Sequence, residues 1–159
     1  MKKVILAIGT GLGAGYFPFF PGTVGSLWGV LIYLLLRLFT INIWWHLSVA
    51  IGVLLLGVWV SKKCEKIFRK KDHPSIVIDE IGGFLVCLIG IPFSPIFLIL
   101  GFVLFRLFDI VKPFHIDKLQ SLPGGWGIVI DDLAAGLLTN LFLWALISMV
   151  GWMVFGLIL

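Results

Sequence analysis

Four long uncharged stretches limit what this chain can fold into, and they cover residues 4–36, 38–61, 81–105 and 133–159. Each stretch exceeds the roughly 20 apolar residues that a helix needs to cross a bilayer. Hydrophobic residues make up 60% of the chain and its mean hydropathy is +1.15, far above an ordinary soluble domain. In lipid the backbone has to satisfy its own hydrogen bonds. We therefore predict one all-α membrane domain over residues 1–159, with no separate soluble domain.

The apolar stretches divide into about five predicted membrane helices, which follow a glycine- and proline-rich N-terminal segment. Thr23 stands after Pro21-Gly22 and is a favourable N-cap for the first helix. The third stretch contains Pro92 and Pro95, which would break a single helix, so we predict a helical hairpin there. The predicted helices cover residues 24–39, 43–60, 76–91, 96–111 and 131–157.

Charge assigns the predicted loops to one side of the membrane. With the N-terminus in the cytoplasm, every Lys and Arg residue except Arg37, and all eight Asp and Glu residues, lie on the cytoplasmic side. This distribution follows the positive-inside rule and predicts a multi-pass protein of the cell membrane. The densest basic block lies between residues 62 and 71, which suits a cytoplasmic loop and also attracts anionic headgroups. No basic, aromatic-interleaved soluble surface is evident, so nucleic-acid binding is not expected.

Five carboxylates fall in three short motifs that adjoin the apolar stretches. The motifs are Ile78–Gly83, Phe108–Pro113 and Ile130–Gly136, and their acids are Asp79, Glu80, Asp109, Asp131 and Asp132. A carboxylate in or beside a membrane helix is costly and usually serves a charge-dependent function. Residues three and four apart share a helix face, and small residues follow Asp79 and Asp132 at that spacing. We therefore expect both acids to point toward neighbouring helices.

We predict that the five acids converge on a divalent cation at the cytoplasmic rim of the bundle. Carboxylate oxygens suit hard cations, and five nearby carboxylates repel one another unless a cation lies between them. Arg106, Asp109 and Lys112 are spaced by three, which puts a cation on either side of Asp109, where it could keep the acid ionised or meet a phosphate. The simpler alternative is that the acids only form ion pairs with these cations and with the basic block.

The N-terminal segment is a second candidate contact for an anion. Glycines alternate from Gly9 to Gly15, which exposes backbone N–H groups, and a helix that begins at Thr23 would attract an anion to its N-terminus. Glycine-rich membrane segments also serve helix packing or a re-entrant turn. The segment by itself does not decide between these roles.

Together these motifs resemble the phosphatidylglycerophosphatase A family. The resemblance extends over residues 8–140 and rests, in family order, on Thr10-Gly11 with Pro21–Ser26, on Ile76–Glu80, on Phe105–Pro113 and on Gly124–Gly136. It implies an all-helical, magnesium-dependent lipid phosphatase of the bacterial inner membrane. The implied reaction is hydrolysis of phosphatidylglycerophosphate to phosphatidylglycerol and inorganic phosphate, in phospholipid biosynthesis. The expected partners are this anionic lipid and the membrane, and no obligate protein partner is evident.

The resemblance, read with the chemistry above, also implies roles for individual residues. The expected Mg²⁺ ligands are Asp79, Glu80, Asp109, Asp131 and Asp132. Catalysis is expected from Asp79, Asp109 and Asp131, and substrate contacts from Thr10, Gly11, Thr23, Ser26, Arg106 and Lys112. Two alternatives stay open, because an acid could activate water or attack phosphorus directly as an aspartyl nucleophile. The number of ions, one or two, is open as well.

The rival function is a cation transporter, or a membrane protein that binds a divalent cation without catalysis. Acids on a transport path should be distributed across the membrane depth, whereas the predicted acids stay at one rim. An alcohol phosphatidyltransferase also uses clustered aspartates, but its Asp-x-x-Asp-Gly run is absent from this chain.

Overall fold

A computed structural model describes residues 1–39 and 42–156 of the chain, apart from the side chains of residues 117 and 152–156. Its helices are α1 (Lys2–Gly9), α2 (Pro21–Phe39), α3 (Ile43–Phe68), α4 (Ile78–Cys87), α5 (Pro95–Val111) and α6 (Gly125–Gly156). Short 3₁₀ segments cover Ala14–Tyr16 and Pro113–Ser121. The described ranges contain no strand, so the all-α prediction is confirmed.

Three helices are long and apolar enough to cross a membrane: Pro21–Phe39, Ile43–Phe68 and Gly125–Gly151. The other two predicted membrane helices are shorter, because α4 has 10 residues and α5 has 17. At a rise of about 1.5 Å per residue, α4 extends only about 15 Å. Length and composition therefore support three of the five predicted spans.

The predicted break in the third apolar stretch is confirmed. Helix α4 ends at Cys87 and α5 begins at Pro95, so the stretch forms two helices rather than one. Pro95 suits the first turn of a helix, where its missing N–H has no partner to lose. Ser94 precedes it as the N-cap, and its side chain accepts a hydrogen bond of 3.3 Å from the Ile96 N–H.

Several predicted helix limits were wrong. Helix α4 (Ile78–Cys87) is shorter at both ends than the predicted 76–91, whereas three other helices are longer than predicted. Helix α2 begins at Pro21, so Thr23 lies in its first turn and is not the N-cap. Helix α3 continues to Phe68 rather than ending near residue 60, and α6 begins at Gly125 rather than at 131. For α3 and α6 the predictions placed helix ends at the edges of apolar stretches, whereas these two helices continue through charged residues beyond those edges. The predicted end at residue 157 lies outside the described residues.

The short helix α4 is the centre of the fold. All of its residues except Glu80 are buried, and it packs against α2, α3, α5 and α6. Close contact with α6 depends on glycine, because a Cβ at Gly83 would lie 2.6 Å from the Asp132 carbonyl oxygen. Likewise, a Cβ at Gly136 would overlap the Gly83 carbonyl oxygen. This confirms that the small residues near Asp79 and Asp132 serve helix packing, and it holds the two acidic helix segments together.

A matched pair of glycine substitutions tests this contact. Gly136→Ala should lower the free energy of unfolding by about 1–3 kcal/mol, because the added methyl overpacks a rigid backbone contact. Gly52→Ala is the control, since nothing lies within 4 Å of a Cβ at that position. This control should be neutral, or stabilising by up to about 1 kcal/mol, through helix propensity. Thermal unfolding of both variants in detergent measures the difference, and equal melting temperatures would contradict the close α4–α6 contact.

Candidate active site

The acidic motifs meet in a cavity of about 250 Å³ where α2, α4 and α5 meet the start of α6. All five predicted acids line it, together with Arg106. The remaining lining residues are Phe20, Pro21, Gly22, Asp72, Pro74, Ile76 and Ile128. The predicted convergence of the three motifs is therefore present in the fold.

Gly22, in the first turn of α2, lets the acidic helix approach. A Cβ at Gly22 would overlap Glu80 Oε1 and would lie 3.0 Å from Arg106 Nη2. The backbone also fixes the start of α4, because the Val77 N–H donates a hydrogen bond of 2.9 Å to the Gly9 carbonyl. The N-terminal segment thus brings Glu80 and Arg106 to the same wall of the cavity.

Three of the acids form the tightest group. Asp79, Glu80 and Asp132 each offer one carboxylate oxygen, and the three atoms lie within 4.8 Å of one another. Asp79 is 5% exposed and Asp132 is 4% exposed, so water screens their mutual repulsion poorly. Asp132 also faces Asp109 and Asp131. Such a group fits a hard divalent cation, which would neutralise the repulsion.

Arg106 and Asp109 form an ion pair on α5, with 2.6 Å between Arg106 Nη1 and Asp109 Oδ2. Arg106 Nε is buried and has no hydrogen-bond partner. Since a guanidinium has five N–H donors, this pairing leaves Arg106 with donor capacity for an anion. The predicted pairing of Arg106 with Asp109 is confirmed.

Lys112 differs from the prediction, because it pairs with Asp131 rather than standing beside Asp109. Its backbone is left-handed at the end of α5, with φ 48°, so the helical spacing of three no longer applies. Lys112 Nζ donates to Asp131 Oδ2 at 2.5 Å. Burial alone would lower the pKa of Lys112, but the hydrogen bond and the charge of Asp131 raise that pKa above its usual value. Lys112 therefore stays protonated at neutral pH.

The two carboxylate oxygens of Asp131 differ in their hydrogen-bond partners. Oδ2 accepts hydrogen bonds from Lys112 Nζ and from Gln120 Nε2, the latter at 2.7 Å. Oδ1 is buried without a hydrogen-bond partner, as is Glu80 Oε2. Buried acceptors without partners are rare and call for an ion or water that completes them. Both orphaned oxygens thus fit a cation bound by this cavity.

Of the predicted substrate-binding residues only Arg106 lines the cavity, and the other five do not: Thr10, Gly11, Thr23, Ser26 and Lys112. Lys112 reaches the site only through its bond to Asp131. The Thr10 hydroxyl donates to the Leu6 carbonyl at 2.7 Å and accepts from the Gly13 N–H at 3.2 Å. The Ser26 hydroxyl donates to the Gly22 carbonyl at 2.9 Å. These groups stabilise the N-terminal segment and the first turns of α2, so they act on the cavity through the position of Gly22.

Two residues of the site were missed by sequence reasoning, Asp72 and Gln120. Asp72 lines the cavity from the α3–α4 loop. Burial raises the pKa of Asp72, and the nearby Asp131 carboxylate raises it further. Gln120 Nε2 donates to Asp131 and, at 3.4 Å, to Asp72. The backbone carbonyl of Gln120 accepts from Lys71 Nζ at 2.8 Å. Gln120 therefore connects two loops over the cavity. Asp72 follows the basic block and could have been noticed, whereas no motif marks Gln120.

Comparison with known proteins adds the family context. The sequence profile of the phosphatidylglycerophosphatase A family matches residues 7–147. The chain is 36% identical over 154 residues to phosphatidylglycerophosphatase A of Haemophilus influenzae, covering 92% of this chain and 93% of the relative. It is 34% identical over 134 residues to phosphatidylglycerophosphatase A of Escherichia coli, covering 83% and 77%.

A third relative carries a different name. A Bacteroides thetaiotaomicron protein, provisionally named phosphatidylinositol-3-phosphatase, is 33% identical over 153 residues, which cover 92% of this chain and 93% of that protein. No solved structure matches the chain.

Proposed function

The chain belongs to the phosphatidylglycerophosphatase A family, and from this premise we propose that it hydrolyses phosphatidylglycerophosphate to phosphatidylglycerol and inorganic phosphate, as a step of phospholipid biosynthesis. Members of this family are phosphoric monoester hydrolases, so the chain is an enzyme. The substrate is a lipid whose terminal phosphate is a monoester. The alternative of a transporter or a non-catalytic metal-binding protein receives no support from the relatives.

One observation carries the proposal: the same cavity holds orphaned acceptors for a cation and an orphaned donor for an anion. Glu80 Oε2 and Asp131 Oδ1 are the acceptors, and Arg106 Nε is the donor. A phosphomonoester bound through a divalent cation needs both kinds of group, because carboxylates alone would repel it. A site that only carried a cation would have no use for the unpaired guanidinium donor.

We assign Mg²⁺ to Asp79, Glu80 and Asp132, whose carboxylate oxygens form the tight group, with Asp109 and Asp131 beside them. When bound, the ion would neutralise charge on the phosphate and polarise the bond to the leaving oxygen. Carboxylates are the ligands that Mg²⁺ prefers, and it commonly takes only a few of them together with water and phosphate oxygens. The cavity offers more acids than one ion needs, so the number of ions stays open.

The residues around the ion have separable tasks. Arg106 donates to phosphate oxygens, and its pairing with Asp109 keeps the guanidinium in place. Lys112 and Gln120 hold Asp131 Oδ2, which directs Oδ1 into the cavity. On one route Asp131 removes a proton from the water that attacks phosphorus, the P–O bond to the glycerol breaks, and the proton passes to the departing glycerol oxygen. On the other route Asp131 itself attacks phosphorus, the glycerol oxygen leaves and takes a proton from water, and a second water then hydrolyses the aspartyl phosphate. The buried setting excludes bulk water, which strengthens each of these charge interactions.

We further propose that the protein is a multi-pass protein of the inner membrane, with α4 and α5 forming a central hairpin and the acidic cavity facing the cytoplasm. The charge distribution supports this orientation, since all carboxylates lie between residues 65 and 132. The cavity would then open at the headgroup level of the inner leaflet. A phosphate released there enters the cytoplasm directly.

Reporter fusions test this topology. A reporter placed after Leu159 should be on the outer face, and one inserted near Lys70 should be on the cytoplasmic face, because α6 crosses the membrane between the cavity and the C-terminus. Paired phosphatase and fluorescent-protein reporters at both positions provide the measurement. Finding both positions on the same side would remove one crossing from the proposed arrangement.

A second candidate substrate is phosphatidylinositol 3-phosphate, which the name of the Bacteroides thetaiotaomicron relative favours. Both lipids carry a phosphomonoester on a polyol headgroup, and the same cavity chemistry would act on either. They differ in the bulk next to the phosphate, since one headgroup is a flexible glycerol and the other a six-membered ring.

Phosphate release from the two lipids, measured in parallel on purified protein in detergent with Mg²⁺, tests the assignment. We expect kcat/KM to be highest for phosphatidylglycerophosphate, and a soluble phosphomonoester serves as the control for lipid dependence. A clear preference for the inositol lipid would replace the proposed substrate while keeping the phosphatase chemistry. No release from any of the three would contradict the function.

A further inference from the structure

A second polar cavity lies at the opposite end of α2 from the acidic cavity. It has a volume of about 320 Å³ and lies between the end of α2, the start of α3 and the turn after α4. Its polar lining residues are Arg37, Asn42 and His46. The remaining walls are apolar and include Leu36, Ile91 and Pro92. Nothing in the proposed phosphatase reaction uses this cavity.

An apolar groove of about 550 Å³ adjoins it and shares Arg37 as a wall. The other walls are Leu34, Leu38 and Phe93. Leu38 is 80% exposed and Phe93 is 50% exposed, so the groove opens toward the surroundings of the helix bundle. A polar cavity and an apolar groove on either side of one arginine match the two halves of a phospholipid.

Arg37 is a cation without a carboxylate partner among the described residues. All eight acids of the chain lie between residues 65 and 132, and the ones whose side chains the structure describes lie toward the other end of the fold. The guanidinium carbon lies 5.5 Å from the centre of the Phe93 ring and 6.0 Å from that of Tyr33. Contacts with ring faces hold a guanidinium without using its N–H donors. Those donors are therefore available to an anion.

The neighbouring polar groups leave Arg37 as the principal anion contact of the cavity. His46 Nε2 bonds to the Leu85 carbonyl at 2.9 Å, so that ring nitrogen donates to the backbone. Asn42 is uncharged and caps α3, with its Oδ1 accepting from the Trp44 N–H at 2.8 Å, so Arg37 is the one Lys or Arg among the described lining residues. A ligand phosphate would thus depend mainly on Arg37, which makes substitution of this residue a decisive test.

The position of Arg37 identifies the source of the anion. Gly22 lines the acidic cavity, and Arg37 follows it 15 residues later on the same helix, which corresponds to about 22 Å at the helical rise. That length approaches the thickness of the hydrocarbon core, about 30 Å. The two cavities therefore lie toward opposite surfaces of the membrane. At that depth the abundant anions are the phosphates of the lipids themselves.

We propose that Arg37 and the two adjoining cavities bind one anionic glycerophospholipid of the leaflet opposite to the acidic cavity. Its phosphodiester lies on the guanidinium, which can bond two phosphate oxygens at once. One acyl chain follows the groove along Leu34, Leu38 and Phe93. This site is separate from the phosphatase cavity and binds its lipid without hydrolysing it.

Native mass spectrometry of the detergent-purified protein, titrated with phosphatidylglycerol, tests the proposal. The wild-type protein should form a one-to-one adduct, and Arg37→Gln should weaken this adduct at least about tenfold, the scale of a lost charge-assisted contact. Arg37→Lys should give an intermediate loss, since it keeps the charge without the planar fork. Lys63→Gln is the matched control, because Lys63 also lies 6.0 Å from a ring centre, that of Trp59, but lines neither cavity.

Further measurements distinguish the possible ligands from one another and this lipid site from the phosphatase cavity. Phosphatidylcholine should bind more weakly than phosphatidylglycerol, and millimolar inorganic phosphate should not displace the lipid. Phe93→Ala keeps the charge while removing one wall of the groove, so it should also weaken the adduct and provides a test if Arg37→Gln does not fold. Hydrolysis of phosphatidylglycerophosphate should be unchanged in both variants.

Three results would overturn the proposal. Equal adducts for wild type and Arg37→Gln would exclude Arg37 as the contact. Equal binding of phosphatidylcholine, or displacement by free phosphate, would exclude an anionic lipid as the occupant. A loss of hydrolysis in parallel with the lost adduct would assign Arg37 to the phosphatase reaction instead.

Discussion

Replacing Asp131 with asparagine should reduce kcat for phosphate release by at least about 100-fold, the scale of losing one preorganised electrostatic contact in an active site. The orphaned Oδ1 would lose its charge, and the amide could not serve as base or nucleophile. The other oxygen would also be affected, because Lys112 and Gln120 both donate to Oδ2. An asparagine amide nitrogen in the position of Oδ2 would face the Lys112 and Gln120 donors, so that three donors would meet without an acceptor. Asp79→Asn and Asp109→Asn should have losses of similar size.

Two further variants show whether the loss is specific. Glu65→Gln removes a carboxylate that does not line the cavity and should keep near-normal activity. Gln120→Ala removes one of the two donors to Asp131 and should cost less than Asp131→Asn, about tenfold. Initial rates at saturating lipid, with far-UV circular dichroism to confirm folding, provide the comparison. Near-normal rates in all three aspartate variants would place the chemistry elsewhere.

Removing divalent cations should abolish activity, and adding Mg²⁺ should restore it. The carboxylate oxygens of Asp79, Glu80 and Asp132 lie within 4.8 Å of one another, so their charges repel, and the phosphate of the substrate adds further negative charge. Lys112 and Arg106 supply only two positive charges against the five predicted acids and Asp72. We therefore expect a bound divalent cation to be needed for the substrate to enter the cavity, and not only for a faster reaction.

Two measurements check this metal dependence. Phosphate release is followed in EDTA and then with Mg²⁺ in excess over the chelator. Mg²⁺ binding by isothermal titration is measured for wild type and for Glu80→Gln, where we expect affinity at least about tenfold weaker, as for the loss of a charged ligand. Full turnover in the chelator would contradict the metal site. Equal affinities would exclude Glu80 as a ligand.

Much of the fold could be predicted from local sequence patterns. Pro92 and Pro95 prevent a continuous helix whatever surrounds them, so the hairpin was predictable. The acidic motifs could also be predicted to converge, because carboxylates and small residues share helix faces and have to be buried against other helices. The close contact between Gly83 and the backbone of Asp132 confirms that these faces pack against each other.

The remaining features depend on loop conformations that no local pattern specifies. Arg69, Asp72, Lys112, Phe114 and His115 all have positive φ values, which residues other than glycine rarely adopt. Lys112 therefore turns away from the helical spacing that predicted its partner, and the loop that follows brings Gln120 over the cavity. Helix ends were misplaced for a related reason, because apolar stretches mark where lipid contact ends and not where the helix ends.

The most direct test of the central claim compares two purified proteins on phosphatidylglycerophosphate in Mg²⁺, the wild type and the Asp79→Asn, Glu80→Gln, Asp132→Asn triple variant. The side-chain volumes hardly change, whereas the charges that define the proposed metal group are removed. We predict that the wild type releases one phosphate and one phosphatidylglycerol per substrate lipid, and that the folded triple variant releases none above background. Phosphate release by the triple variant at the wild-type rate would contradict the account.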